Sequence, residues 1–321
     1  MTDGDSNMTK AARTSSERRD SQLAGAPWAL TSYRRPGEDR VRAGVLRADG
    51  SIVSLGELGE AGVLPLLARW DQAVDSLRAL DVDAEAPVDG AQPDLVLRYP
   101  SKVVCAGANY HAHLEEMGVP SPGDGVEPFF FLKPPATTVI PPGAPIRVRT
   151  DIEMELDWEA ELGIVIGLRA TAVPVDDAMD VVAGYIPLND VTNRAALRRV
   201  HSIAPPFVFD WVAAKGLDDS CPIGPGIVPA FHVPDPQDLR VRTWVNDDLK
   251  QDSSTADMVY PVRRLISAAS HTFTLEPGDI LATGTPAGVG KPRGEFMFPG
   301  DVVTVEIQSV GSVSNPIEAA S

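Results

Sequence analysis

The chain has 321 residues, 43% of them hydrophobic, enough for one large core or for one core and a small extra domain. Its 45 acidic residues against 28 basic ones give a formal charge of -17, a surface that phosphate backbones and anionic bilayers repel, so nucleic acid and membranes are excluded as partners. No run of about 20 apolar residues is present, the N-terminus lacks an apolar signal core, and Cys105 and Cys221 have no zinc-binding spacing. A soluble protein of the reducing cytoplasm is expected.

Residues 1–24 are rich in Ser, Asp, Arg and Thr and carry almost no large apolar side chains, so they are expected to form a disordered tail. From Trp28 the runs WALTSYR, RAGVLRADGSIVSL and DLVLRYPSKVVCAGA predict short strands, with a hairpin turn at Ala48-Asp49-Gly50. Residues 62–80 have the apolar spacing of one helix. A small α+β N-terminal domain over residues 25–99 is expected. Residues 100–321 are expected to form the larger C-terminal body. Its strand-like segments AELGIVIG, VRTWVND, DILATGTP and DVVTVEI are punctuated by Pro and Gly, and few stretches are helical for more than two turns. That predicts a β-rich α+β fold rather than an alternating parallel one.

The segment AGANYHAHLEEMGVP reads as a strand end, a turn at Asn109, and a short helix closed by Gly118. His113 and Glu116 then share one helix face. An exposed pair at this spacing is ordinarily structural, but a carboxylate bonded to one imidazole nitrogen also fixes the tautomer and leaves the other free to take a proton. His111 competes for that role from another face. Lys133 follows an apolar run in FFFLKPP, and Lys215 precedes Asp218 in KGLDDS. Such lysines commonly snorkel; beside an anionic substrate they stabilise developing negative charge.

The most informative segment is DIEMELDWEAELGIVIG, where Asp151, Glu153, Glu155, Asp157, Glu159 and Glu161 alternate with apolar residues. Period two means a strand, and Glu159 and Glu161, entering the apolar LGIVIG, are expected to lie deeper than the first four acids and to converge on one ion. A solvated acidic face is the ordinary alternative. Asp190, ending the apolar run GYIPLND, supplies a third carboxylate. With no Cys or His nearby, the set suits a hard cation, Mg²⁺ first and Mn²⁺ second. In DILATGTPAGVGKP, backbone N–H groups at Gly284 and the hydroxyl of Thr285 are expected to grip a substrate carboxylate.

VVCAGANYHAHLEEMG, FFFLKPPATTVIPPG, DWEAELGIVIG, GYIPLNDVTNR, KGLDDSCPIGP and LEPGDILATGTPAGVG occur in the order found in the fumarylacetoacetate hydrolase family, which the chain resembles from about Lys102 to Ile317. The resemblance implies a mixed β-sandwich roll, a homodimer, and metal ligation by Glu159, Glu161 and Asp190. It implies His113 and Glu116 as the water-activating pair, Lys133, Lys215 and Thr285 on the substrate, Asp218 steadying Lys215, and a lid from His111 to about Glu127. Arg194, which follows the NDVT motif, is assigned to the substrate as well. The implied activity is metal-dependent hydrolysis of a carbon–carbon bond in a β-dicarbonyl keto acid. Isomerisation, decarboxylation or dehydration on the same scaffold is the alternative, and a non-enzymatic metal-binding protein a further one. Ala108, Ala195 and Leu197 replace polar residues common in the family and suggest a less polar pocket for a bulkier or ring-derived keto acid.

Overall fold

The structure, a computed structural model, describes residues 22–123 and 125–320. Residues 1–21 of the expected tail lie outside the described residues. Its last three are part of the folded body, which corrects the boundary. Leu23 is buried, and the carbonyls of Gln22 and Ala24 accept from the N–H groups of Ser312 and Ser309 at 2.9 and 2.8 Å. One leucine in a polar run is enough to anchor a turn, and averaged composition hides it.

The N-terminal residues build an antiparallel sheet of β1 (Trp28–Arg34), β2 (Arg42–Arg47), β3 (Ile52–Ser54) and β4 (Gln92–Asp94) in the order β3-β2-β1-β4. The turn predicted at Ala48-Asp49-Gly50 joins β2 to β3, with Ser51 N–H donating to Asp49 Oδ1 at 2.9 Å. The single helix expected over residues 62–80 is two helices, Val63–Leu67 and Trp70–Arg78, separated where Arg69 leaves helical geometry (φ -127, ψ 37). The break lets Leu66 and Leu67 face the core together with Trp70, Ala73 and Leu77, which one regular helix would spread over a wider arc.

The body contains β5 (Val103–Gly107), β6 (Phe129–Lys133), β7 (Val139–Ile140), β8 (Ile146–Val148), β9 (Leu156–Asp157), β10 (Ala160–Ile166), β11 (Val182–Asn189), β12 (Thr192–Asn193), β13 (Cys221–Pro222), β14 (Val228–Pro229), β15 (Arg240–Val245), β16 (Asp248–Ser254), β17 (Ile280–Ala282), β18 (Val302–Ile307) and β19 (Gly311–Ala319). A six-stranded mixed sheet runs β14-β11-β10-β17-β5-β6, and a five-stranded one runs β16-β15-β18-β19-β8. Two short pairs, β12-β9 and β13-β7, complete the strand-rich α+β architecture.

Strand β10 is buried along its whole length because both faces of its sheet are covered. Leu162, Ile164 and Ile166 point into a core shared with Val241, Val305 and Ile307 of the five-stranded sheet and with Leu265 and Ile266 of the helix Val262–Thr272. Val165 points the other way, into a core shared with Leu30, Val45, Leu66 and Trp70 of the N-terminal layer. That layer is also stitched on by backbone bonds of 2.8 Å in both directions between Leu30 and Ile227. Trp70 lies directly on Gly167, where an added Cβ would sit 2.6 Å from the indole Cδ1.

Because the N-terminal layer and the body share one core, Trp70→Ala should destabilise the chain by about 3–5 kcal/mol, the usual cost of emptying a buried tryptophan site. Urea unfolding followed by circular dichroism should move as one earlier transition; a separate early transition of the N-terminal layer would contradict the shared core.

Candidate metal and proton-transfer site

Antiparallel pairing of β10 with β11 sets Ala160 opposite Asn189, so Glu159 and Glu161 flank the point where Asp190 leaves the end of β11. The alternating strand predicted from Asp151 is broken in two, β9 and β10, at Trp158 and Glu159. The kink is held from both sides: Glu159 N–H donates to Asn189 Oδ1 at 3.0 Å, and Asp190 N–H donates to Glu159 O at 2.9 Å. Carboxylate oxygens of Glu159, Glu161 and Asp190 thereby lie within 4.8 Å of one another, all three buried.

Three like charges this close in a buried place require compensation. Lys215 Nζ reaches Glu159 Oε2 and Asp190 Oδ2, both at 2.7 Å. Lys133 Nζ lies 2.8 Å from Asp190 Oδ1 and donates to the Val191 carbonyl at 3.1 Å. Arg194 reaches Glu159 Oε1 at 2.7 Å and Asp157 Oδ2 at 2.8 Å, and the Thr192 hydroxyl donates to Glu159 Oε1 at 2.8 Å. Burial opposes ionisation of Glu159, yet the charges of Lys215 and Arg194 outweigh it and bring the carboxyl down to about 2. Burial likewise opposes the Lys215 ammonium, and Asp190 and Glu159 outweigh it, raising the lysine above its usual value.

Glu161 is in the opposite condition. Its contact is the Gly284 N–H at 2.7 Å, and among the described residues no lysine or arginine pairs with it. Burial, followed by the charges of Asp190 and Glu159, pushes its carboxyl well above the ordinary range. Glu161 is thus the one carboxylate of the three without a cationic partner among the described residues, and the oxygen-only donors of the cluster are those a hard divalent cation takes, so the residues fit Mg²⁺ or Mn²⁺.

The loop between Thr283 and Lys291 ties this cluster to the His–Glu pair. Three of its amides each hold a carboxylate: Gly284 N–H holds Glu161, Gly288 N–H holds Glu116 Oε1 at 3.0 Å, and Gly290 N–H holds Asp157 Oδ1 at 2.7 Å. Gly288 has φ +102, and a Cβ there would lie 2.3 Å from the Lys250 carbonyl, so the residue has to be glycine. The other oxygen of Glu116 meets His113 Nδ1 at 3.0 Å. His113 is buried on the short helix His111–Glu116, as expected. His111, the competing imidazole, contacts Ser121 Oγ at 3.0 Å on the exposed side.

Three expected assignments are changed by the geometry. Asp218 does not steady Lys215: it is exposed, and Glu159 and Asp190 hold the lysine instead. Gly284 grips a carboxylate, but it is the protein's own Glu161. Arg194 is engaged by Asp157 and Glu159 rather than directed outward. Thr285 is buried, its hydroxyl accepting from Gln251 Nε2 at 2.8 Å. Asp157, placed among the shallower acids by the sequence, is 0% exposed and anchored by Gly290, Lys291 and Arg194. It lies on the same period-two face as Glu159 and Glu161, which was the available signal. Neither Asn189 nor Gln251 was picked out, and nothing local to either reveals its distant partners.

The chain is similar to known proteins over most of its length. The sequence model described as fumarylacetoacetate (FAA) hydrolase, C-terminal, matches residues 102–318. The mitochondrial oxaloacetate tautomerase of Xenopus laevis is 36% identical over 263 residues, 81% of this chain and 76% of its own. The 2,4-didehydro-3-deoxy-L-rhamnonate hydrolase of a Sphingomonas species is 34% identical over 276 residues, 84% of this chain and 90% of its own. Among solved structures, maleylpyruvate hydrolase from Sphingobium sp. SYK-6, in complex with manganese(II) and pyruvate, superposes with a TM-score of 0.72 at 30% identity, covering 91% of this chain and all of that one. Among the described residues, no helix is long and apolar enough to cross a membrane.

Glu161→Gln isolates the uncompensated charge. A carboxyl raised by folding favours the native state fully below its unfolded value and loses that contribution as pH rises through the raised one. The metal-free variant should therefore gain thermal stability over the parent as pH rises through that interval, while calorimetry finds Mn²⁺ affinity reduced by at least about tenfold. Unchanged Mn²⁺ affinity would remove Glu161 from the ligand set.

Proposed function

The chain belongs to the fumarylacetoacetate hydrolase family, and on that premise we propose that it is a metal-dependent hydrolase that breaks a carbon–carbon bond in a small β-dicarbonyl 2-keto acid. The observation that carries the reading is the pair of buried His113 and half-buried Glu116, fixed by the same loop that fixes Glu161. Glu159, Glu161 and Asp190 would hold Mg²⁺ or Mn²⁺, whose Lewis acidity polarises a 2-keto acid and tempers the charge of an enolate.

Glu116, itself held by Gly288, keeps the proton of His113 on Nδ1 and leaves Nε2 to accept one from water. The hydroxide so formed adds to the distal carbonyl carbon, and the bond between that carbon and the neighbouring one breaks. The electron pair leaves on a pyruvate-type enolate, which regains a proton from the His113 imidazolium. Lys215 and Lys133 keep positive charge beside the triad throughout. The Lys215 ammonium lies 5.1 Å from the ring centroid of Phe131, which stacks with Trp211 at 5.2 Å, and these half-buried rings support a substrate with an apolar arm.

A second reading is supported by the identity to the Xenopus tautomerase. In it His113 takes the proton from the carbon between the two carbonyl groups of a 2-keto diacid and returns it to oxygen or carbon, with no water attack. The products separate the two: hydrolysis gives two fragments, tautomerisation one compound of unchanged mass.

The test is a screen of acylpyruvates, ring-fission keto acids and oxaloacetate with Mg²⁺ or Mn²⁺, following pyruvate release against a chelator control. His113→Ala should lower turnover by about 10²–10⁴-fold, the range for loss of a general base, and leave metal affinity nearly unchanged. Turnover equal to the parent's would show that His113 does not activate water.

A further inference from the structure

We infer that Gln251 is a positioning residue that sets the His113–Glu116 pair against the metal ligands, an inference that rests on the two acting together as proposed above. Gln251 lies on β16, in the five-stranded sheet, and is 1% exposed. Its amide joins three segments outside its own strand, β10, β15 and the loop after β17. Oε1 accepts from the Ala160 N–H at 3.0 Å and from the Thr243 hydroxyl at 2.6 Å. Nε2 donates to Thr285 Oγ1 and to the Pro286 carbonyl, both at 2.8 Å. The Ala160 amide can only donate and the Pro286 carbonyl only accept, so the orientation is fixed and the hydrogen-bonding capacity of the amide is fully used.

What matters is where those partners sit in the chain. Ala160 is the residue between Glu159 and Glu161. Thr285 and Pro286 lie between Gly284, which holds Glu161, and Gly288, which holds Glu116. The side chain therefore spans from the backbone that aims the metal ligands to the loop that aims the dyad. The main chain of β16 closes the same gap, since a Cβ on Gly288 would lie 3.2 Å from Gln251 Cα. A loop released from Gln251 would carry Glu116, and His113 with it, away from the triad. A displacement on the order of 1 Å is enough to degrade catalysis substantially. A buried amide that served stability alone would not need its partners in these two segments.

The experiment uses the full chain with two substitutions, Gln251→Leu and Thr285→Val, the second removing only the loop-side hydroxyl. Thermal melting establishes that each variant is folded. Mn²⁺ affinity is then measured by calorimetry, and the ring-nitrogen chemical shifts of His113 by NMR on the metal-free protein. The parent should show a single tautomer with the proton on Nδ1. Gln251→Leu should weaken Mn²⁺ binding by about tenfold, as loss of an outer-shell partner does, and turn the His113 signal into a mixture of tautomers. Thr285→Val should move both signals in the same direction by less. A folded Gln251→Leu protein in which either signal stays at the parent value overturns the inference, and if that variant does not fold, Thr285→Val decides by the same two signals. Neither measurement uses a substrate, so a failed activity screen leaves this result standing and unchanged signals overturn it even in an active hydrolase.

Discussion

Repulsion among the buried carboxylates of Glu159, Glu161 and Asp190 is the constraint from which the rest of the molecule follows. Carboxylates within 4.8 Å of one another, away from water, stay charged only where fixed positive charge and hydrogen-bond donors surround them. Lys133, Lys215 and Arg194 supply the charge, and each needs a buried anchor of its own. The anchors come from strands and loops distant in sequence. A sheet covered on both faces keeps them in place, because a half-solvated sheet would admit the water that makes the field weak. The N-terminal layer, remote from the chemistry, contributes by sealing the far side of β10 and β11.

The same arrangement would serve either of the two reactions proposed for this chain. Hydrolysis and tautomerisation both begin with a base of fixed tautomer beside a polarised keto acid. They differ in whether the base meets water or a C–H bond, a matter of what fills the space beyond His113. Phe131, stacked on Trp211, lies 5.1 Å from the Lys215 ammonium, so an apolar surface adjoins the charged cluster.

Much of this was legible in the residues, and what was not has a common cause. Period-two acids entering LGIVIG placed Glu159 and Glu161 together, and helical spacing placed His113 beside Glu116, because both are local geometry. Asp190 was found from its position at the end of an apolar run. The resemblance pairs Asp218 with Lys215, whereas the lysine's partners in the structure, Glu159 and Asp190, lie 56 and 25 residues away. Gly284 is expected to grip a substrate carboxylate, yet its amide holds Glu161, because nothing in GTPAGVG says which acid will face it. Gln251 and Asn189 lay beyond reach for the same reason: their partners are 91 and 30 residues distant, brought near only by sheet pairing.

The loop from Thr283 to Lys291 holds its acids with main-chain amides, a fact with consequences for inheritance. No exchange of one side chain for another deletes such a donor; only proline removes an N–H outright. Ala287, partly exposed and holding none of these acids with its side chain, is free to change, whereas Val289 is buried and has to stay apolar; diversification of the pocket can proceed around the cradle without dismantling it. Change at the glycines, by contrast, shifts the backbone and misaims two or three carboxylates in one event. The loop should accordingly vary among descendants of this chain in its side chains while its course through space is kept.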